Sequence, residues 1–318
     1  MNDQEIFEEE FYANLEKGFS ADIACCDYCH DEFVELWPLA NIAENFEFQK
    51  SEVDLDWFYK YSYLQQFYTF AQFQFHISQM ECPRCTMPLE HNIWAYNLPF
   101  DIPHNFETII KDVSFLAKST PFLLLDHHYC KSVFDAIKTL NQSCEPIFLA
   151  SPLFRARENS KGDLLELISS FDFPPIEVVK EGRYNHAGNP VLYLASDKET
   201  CHSEIRNAVC TIVELELSTK IRILDLTDPY SKHNLHHDLL NSLVYSALTS
   251  APHNDEGWHK PYYVVSRFVA DCAKSAGFDA IKYPSTRRHN DNYNLVIVNQ
   301  SLRLEGNSRV IAYHHFKN

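Results

Sequence analysis

Glycine is scarce in this chain, with seven in 318 residues. No Gly-x-Gly-x-x-Gly run exists, which excludes the phosphate-cradling turn of a redox dinucleotide-binding fold. Long apolar runs are missing too. PFLLL at Pro121–Leu125 is among the longest, far short of the roughly 18 residues a membrane helix needs. Positive charge is in deficit, with 27 Lys and Arg against 44 Asp and Glu, a formal charge of −17. That balance argues against a non-specific nucleic-acid surface, which needs basic stripes. It also requires any anionic small molecule to be held by local cations. The opening MNDQEIFEEE lacks the basic and apolar regions of a secretion signal, so a cytoplasmic location is expected. Ten Cys without an export signal read as metal ligands and buried thiols rather than disulfides.

What is present divides into two textures. Residues 1–145 are rich in aromatics and read as mainly helical. Leu55–Gln79 has helical spacing at Phe58, Tyr61, Leu64, Tyr68 and Phe75, long enough for about six turns, although its aromatics would also suit a strand. Two more amphipathic helices are expected over 104–120, with Phe106, Ile109, Ile110 and Val113 on one side, and over 129–142. From residue 146 short strands alternate with helices. PIFLASPLFRAR, VLYLA, TIVELEL, IRILDL, FDAIKYP, NLVIVN and RVIAYHH read as strands, and 197–209, 235–249 and 262–276 as helices, the last stopped by Gly277. The expected class is α+β, with a helical metal-binding domain over 1–145 and a mixed α/β domain over 146–318.

Cys26 and Cys29 form one Cys-x-x-Cys knuckle, and Cys82 and Cys85 form a second. Two such knuckles are the usual means of holding one tetrahedral zinc through four thiolates, a closed structural site with no position for water. Cys25, His30 and His91 lie close enough in sequence to substitute. The plainer alternative is four buried thiols. Arg84 and His91 also form an Arg-x6-His pair, but it overlaps the second knuckle and is set aside.

In the second half, GRYNHAGNPVLYL at residues 182–194 gathers polar residues around two of the seven glycines before a strand. The next helix opens with Ser196 and Glu199 in capping-box spacing, making Ser196 the expected N-cap. Glu204 then lies at the edge of the inward face, where a partly desolvated carboxylate needs a partner. A pairing with Arg206 or Arg222 would make it merely structural. Arg183, Arg155 and Arg157 are cations whose planar forks suit phosphate or carboxylate. Tyr193 could stack on a ring or simply fill a core. A carboxylate beside such groups is what a cationic glycosyl transition state requires.

The spaced motifs FRAR, GRYNHAGNPVLYLASDKETCHSEIR, GFDAIKYPS and NYNLVIVN, spanning about residues 148–315, resemble the RES family, which includes toxins of bacterial toxin–antitoxin systems. The resemblance implies a fold similar to ADP-ribosyltransferases and consumption of NAD by cleavage of its nicotinamide–ribose bond. It places the family's naming trio on Arg183, Glu204 and Ser285. The functional Tyr falls on Tyr193, with Tyr184 as a second stacking candidate, and the upstream Arg falls on Arg155 or Arg157. Ser285 lacks an evident base and is read as a hydrogen-bond donor, or as a turn hydroxyl. Expected partners are NAD as substrate and an antitoxin or immunity protein, with self-association left open. Small family members are neutralised by a separate helix-turn-helix antitoxin, and the layout here resembles members with an added helical module thought to act in phage defence. Water, phosphate or a macromolecule could accept the ADP-ribosyl group. A non-catalytic nucleotide sensor remains the alternative.

Overall fold

The structure, a computed structural model, describes residues 2–19, 23–39, 49–98, 100–159, 165–206, 208–227, 236–250, 261–285 and 292–316. Among them no helix is long and apolar enough to cross a membrane. The chain forms two compact units, Met1–Asp101 and Ile102–Asn318.

The first unit begins with α1 (Asp3–Phe19), whose Phe7, Phe11 and Leu15 recur every four residues and are buried. β1 (Ile23–Cys26), α2 (His30–Leu36), β2 (Gln49–Asp54), α3 (Leu55–Tyr61), α4 (Phe70–Ile77) and β3 (Asn92–Asn97) follow. The strands form an antiparallel sheet in the order β1-β3-β2, which the helical reading did not anticipate. The expected helix over Leu55–Gln79 is broken. Ser62 takes an extended backbone and its hydroxyl accepts the Leu64 N–H, starting a 3-10 turn at Tyr63–Gln66. Thr69 then caps α4 through a reciprocal box with Gln72. Short hydroxyl side chains compete for the backbone, and here that competition overrides the apolar period.

The second unit contains α5 (Phe106–Ser119), α6 (His128–Ser143), β4 (Leu153–Glu158), β5 (Leu192–Ala195), α7 (Lys198–Glu204), β6 (Cys210–Leu217) and β7 (Ile223–Asp225). It continues with α8 (His237–Tyr245), α9 (Ala247–Ser250), α10 (Val264–Ala276), β8 (Ala280–Pro284), β9 (Tyr293–Ile297) and β10 (Ser308–Phe316). Helices α5 and α6, read from sequence as part of the first domain, pack on α10 inside this unit. Their buried stripes, Phe106, Ile110 and Val113 on α5 and Val133, Ala136 and Ile137 on α6, need a partner surface.

Seven strands form one sheet in the order β10-β6-β4-β5-β9-β8-β7, antiparallel except for β7 beside β8. This mixed α/β layout is the expected α+β class. Alternation in β6 behaves as a strand should: Val213, Leu215 and Leu217 join Leu153, Leu192, Leu194 and Leu295 in the main core. Cys210 and Ile212 turn to the opposite face, where they meet Ala195 and Cys201 of α7.

Helix α7 departs from expectation in two ways. Asp197, not Ser196, is its N-cap, accepting the Thr200 N–H at 2.8 Å. Ser196 instead accepts the Tyr293 N–H of β9 at 3.0 Å, tying the helix entry to the sheet. The helix also ends early, at Glu204, and Arg206 follows in the left-handed region at φ 57°. Of the expected 197–209 span, residue 207 lies outside the described residues. The helix expected over 235–249 divides at Ser246 into α8 and α9, residue 235 also lying outside the described set.

Gly277 ends α10 at φ 97°, its N–H returning to the Ala273 and Lys274 carbonyls. A Cβ there would have room, its nearest neighbour being Asn141 Oδ1 at 3.7 Å. The need for glycine is therefore conformational, not steric. Gly277→Ala is expected to cost about 1 kcal/mol, read as a lower urea midpoint at unchanged slope. An unmoved midpoint would refute this account.

Candidate functional site

The register of three strands assembles the site. Ala195 of β5 pairs with Asn294 of β9, which pairs with Tyr283 of β8. Side chains alternate along a strand, so Tyr193, Ala195, Asn294 and Tyr283 share one face. Ala195 packs against Cys201, which identifies it as the α7 face. Glu204, the last residue of α7, closes one side of it. Its Oε1 accepts a hydrogen bond from Asn294 Nδ2 at 2.8 Å and one from Ser285 Oγ at 3.4 Å. Contrary to expectation Glu204 is exposed, because the helix stops there and projects the carboxylate from its final turn. Arg222, offered as a structural partner for Glu204, instead donates to the Cys144 carbonyl.

The loop at residues 182–189 supplies the opposite side. Gly182 and Asn185 form an isolated bridge around a tight turn whose central residues are Arg183 and Tyr184. The Tyr193 hydroxyl holds the turn, accepting the Tyr184 N–H at 2.9 Å and donating to Asn185 Oδ1 at 2.9 Å. Asn185 Nδ2 donates in turn to the carbonyls of Lys180 and His186. An ion pair from Glu181 to buried Arg267 at 3.1 Å and a hydrogen bond between His186 Nε2 and Asp271 Oδ2 at 2.8 Å attach the loop region to α10. Asn185 and His186 had no role in the sequence reading, and the structure makes both of them loop anchors.

Arg183 donates from Nη1 to the Thr249 carbonyl at 2.7 Å and lies over the Tyr263 ring at 5.2 Å. Burial disfavours its cation, but Tyr184, Tyr263, Tyr283 and Glu204 more than offset this and hold its pKa above the usual Arg value. Tyr184 and Tyr283, both buried, meet at a ring-centroid distance of 4.6 Å. Burial pushes the Tyr184 phenol up to about 12 and Tyr283 well above its ordinary value. The site thus combines a permanent cation, a carboxylate held by neutral donors, and uncharged aromatic walls. Such a set can bind an anionic, ring-bearing ligand and set negative charge against a positive centre that develops in it.

Arg155 and Arg157 were expected to face a ligand and do not. They alternate with Phe154 and Ala156, which pack under α7, so their side chains leave that face. β4 and β5 pair only through Phe154 and Ala195. Arg155 bridges the gap beside that pair, donating to the carbonyls of Tyr193, Phe171 and Asp172. Arg157 donates to the carbonyls of Ser170 and Asp172. Burial, with Arg157 next to it, lowers the Arg155 pKa to about 9. Both guanidiniums therefore satisfy buried carbonyls. Asn294, Tyr263 and Tyr283 were missed from sequence. For Asn294 a signal existed: a polar residue in the apolar run NLVIV, which is 5 % exposed and so requires a partner.

In the first unit, Cys26, Cys29, Cys82 and Cys85 place their Sγ atoms within 4.8 Å of one another. Cys26 ends β1, Cys29 precedes α2, and Cys82 and Cys85 flank a turn beyond α4. The Sγ separations of 3.9, 3.6 and 3.8 Å match the edge of about 3.8 Å that a tetrahedron with 2.3 Å metal–sulfur bonds has. The four thiols therefore fit a metal ion. Arg84 donates to the Cys29 carbonyl at 3.0 Å, bringing positive charge beside them. Cys25, His30 and His91 stand apart from the set. Cys25 approaches the Trp94 carbonyl, His30 stacks on Trp94 and bonds the Tyr96 hydroxyl, and His91 is exposed beside Glu90.

These features define the second unit as a mixed α/β domain with a cation–carboxylate site on the α7 face of its sheet, over β5, β9 and β8. Residues 152–315, just over half of the chain, match the RES domain family, and the chain belongs to that family. No curated protein matches the sequence. Among solved structures, it is similar to a chain of the M. tuberculosis MbcT–MbcA toxin–antitoxin complex, at 14 % identity and a TM-score of 0.37 over 57 % of this chain and 92 % of that one. A likeness that distant carries no weight for function.

Gly182 has a precise steric cause. A Cβ on it would stand 2.3 Å from Asn185 Oδ1 and 2.7 Å from the Tyr193 hydroxyl, both fixed by hydrogen bonds. Gly182→Ala should therefore displace the loop and cost roughly 1–3 kcal/mol. The check is paired: thermal unfolding, and accessibility of the Arg183 loop to limited proteolysis. Wild-type values in both would disprove the packing argument.

Proposed function

We propose that this chain consumes NAD by cleaving the nicotinamide–ribose bond and passing the ADP-ribosyl group to water or phosphate, in a toxin or defence role. The observation that carries this reading is the Glu204 carboxylate, held by Asn294 and Ser285 within electrostatic reach of Arg183. Family membership supports an NAD-degrading, toxin-like role in general terms.

In the proposed reaction the C1′–N bond breaks and its electron pair passes to the nicotinamide ring nitrogen, which becomes neutral. The ribose is left with oxocarbenium character. Glu204 stabilises that positive charge, and its bonds to Asn294 and Ser285 keep it in place without reorganisation. An acceptor oxygen then bonds to C1′; if it is water, its proton leaves to the carboxylate or solvent. Arg183 holds the pyrophosphate. Tyr184 and Tyr283 offer the aromatic wall for nicotinamide. Tyr193 acts by holding the loop, and Ser285 acts as a donor. An antitoxin or immunity protein is the partner such an activity requires in its own cell.

Purified protein incubated with NAD, with and without phosphate, should release nicotinamide, and the second product identifies the acceptor. Glu204→Gln should lower turnover on the order of 100-fold or more with thermal stability unchanged. It should also relieve growth arrest on expression. A Glu204→Gln protein that depletes NAD like wild type would sink the reading.

Zinc is the proposed ion for the four cysteines, since four thiolates in tetrahedral array suit it and leave no coordination position for catalysis. When bound it cross-links the start of α2 to the turn beyond α4. Elemental analysis should give about one zinc per chain. Cys82→Ser should lose the metal and lower the unfolding temperature of the first unit. Metal-free wild-type protein with unchanged stability would rule this out.

A further inference from the structure

The acid excess of this chain is concentrated in its first unit. Residues 1–101 contain 19 Asp and Glu but only four Lys and Arg, a formal −15 of the total −17. The two cysteine knuckles lie inside that excess. Residues 23–36 and 81–91 carry six acids, Asp27, Asp31, Glu32, Glu35, Glu81 and Glu90, and a single Lys or Arg, Arg84. Neutral donors leave this charge in place: Asp27 accepts from Asn92 and Trp94, and Glu90 from the Tyr28 hydroxyl. Lys17, Lys50 and Lys60, the other cations of the unit, belong to α1, β2 and α3. Four thiolates around a divalent ion add a further net negative charge. Cys26, Cys29 and Cys82 are buried, so water and salt screen that charge poorly.

Arg84 meets both knuckles. It lies within the second, between Cys82 and Cys85. Its backbone N–H donates to the Cys82 sulfur. Its side chain turns to the first knuckle, where it reaches the Cys29 sulfur and donates from Nη1 to the Cys29 carbonyl at 3.0 Å. Nη1 also meets Glu32 Oε2 of α2 at 3.2 Å, and the guanidinium lies 6.0 Å from the Phe33 ring centroid. The Arg84 side chain is only 10 % exposed, whereas that of Glu32 is 48 % exposed. A pair with Glu32 alone could form in solvent without burying the guanidinium. A cation this far withdrawn from water needs a charge beneath the surface to answer it.

We propose that Arg84 is the charge-balancing residue of the metal centre: its guanidinium offsets the negative charge of the four metal-bound thiolates and so sets how tightly the ion is held. The inference rests on the reading of the four cysteines as a zinc site, and it is independent of whether the second unit cleaves NAD. It assigns Glu32 an effect of opposite sign. Glu32 shares the same Nη1 and draws positive charge away from the sulfurs, so it loosens the ion. If Arg84 were only a strut fastening α2 to the second knuckle, Glu32 would be one end of that strut and would tighten the ion instead.

The test uses the full chain. Zinc affinity is measured by competition with a chromogenic chelator, and the ligand set is checked by the thiolate-to-metal absorption of cobalt-loaded protein. Arg84→Met should weaken zinc binding roughly tenfold or more, with the four-thiolate cobalt spectrum retained. Arg84→Lys, which keeps the charge, should recover most of that loss. Glu32→Gln should hold zinc at least as tightly as wild type, and it decides the matter where Arg84→Met does not fold. Wild-type affinity in Arg84→Met, or equal losses in Arg84→Met and Arg84→Lys, would overturn the proposal while leaving the zinc site intact. Weakened binding in Glu32→Gln would make Arg84 a strut, with the same result. A wild-type chain that takes up no zinc would overturn the metal-site reading itself, and this proposal with it.

Discussion

The Tyr193 hydroxyl is the point on which the second unit's site depends. It lies on β5, a central strand of the sheet, and takes one backbone N–H from Tyr184 while giving its proton to Asn185. Those two bonds fix a tight turn directly above the sheet. Arg183 lies in that turn, so its cation inherits a position set by a core strand rather than by a solvated loop. Gly182 follows from the same constraint, because the space that a side chain would fill is already taken by the hydroxyl and the Asn185 amide. Gly188 answers a different need, a positive φ of 73°.

A second constraint is the register of β5, β9 and β8. Because side chains alternate, pairing Ala195 with Asn294 and Asn294 with Tyr283 puts a buried amide and a buried phenol on the face that α7 covers. The early end of α7 then leaves Glu204 where that amide can reach it. Carboxylate, cation and aromatic wall thus come from α7, a loop and β8. Each is held by an element with its own reason to be there.

The first unit works by another principle. Its sheet is small and its acid excess large, so cohesion rests on a buried aromatic core. Inside it Phe11 stacks with Phe7 and meets Phe58 edge to face, while Tyr61 and Phe67, only a few residues from Phe58, remain outside. The same residue type serves core and surface within a single stretch of chain. Composition cannot separate the two.

Several features were legible in the sequence because their physics is local. Alternation in TIVELEL is enough to define a strand. Gly277 after an amphipathic run is enough to stop a helix. Two Cys-x-x-Cys pairs are enough to suggest a metal, since each knuckle needs only its own turn. The trio Arg183, Glu204 and Ser285 was reached through resemblance, and the structure brings Glu204 and Ser285 within 3.4 Å, with Arg183 across the cleft. Other features depended on distant partners. Ser196 and Asp197 both offer capping oxygens, and the choice fell to Asp197 because the Ser196 hydroxyl is taken by Tyr293, 97 residues on. Arg155 looks like a ligand-binding cation until the gap beside the Phe154–Ala195 pair draws its guanidinium to backbone carbonyls. The sequence by itself determined the strands of the second unit, the cysteine knuckles and the inventory of charged groups, because period and spacing act over a few residues. Only the tertiary structure decided which arginine faces the cleft, what holds Glu204 and which aromatics stay outside, because each of those depends on strand register and on hydrogen-bond partners far away in the chain.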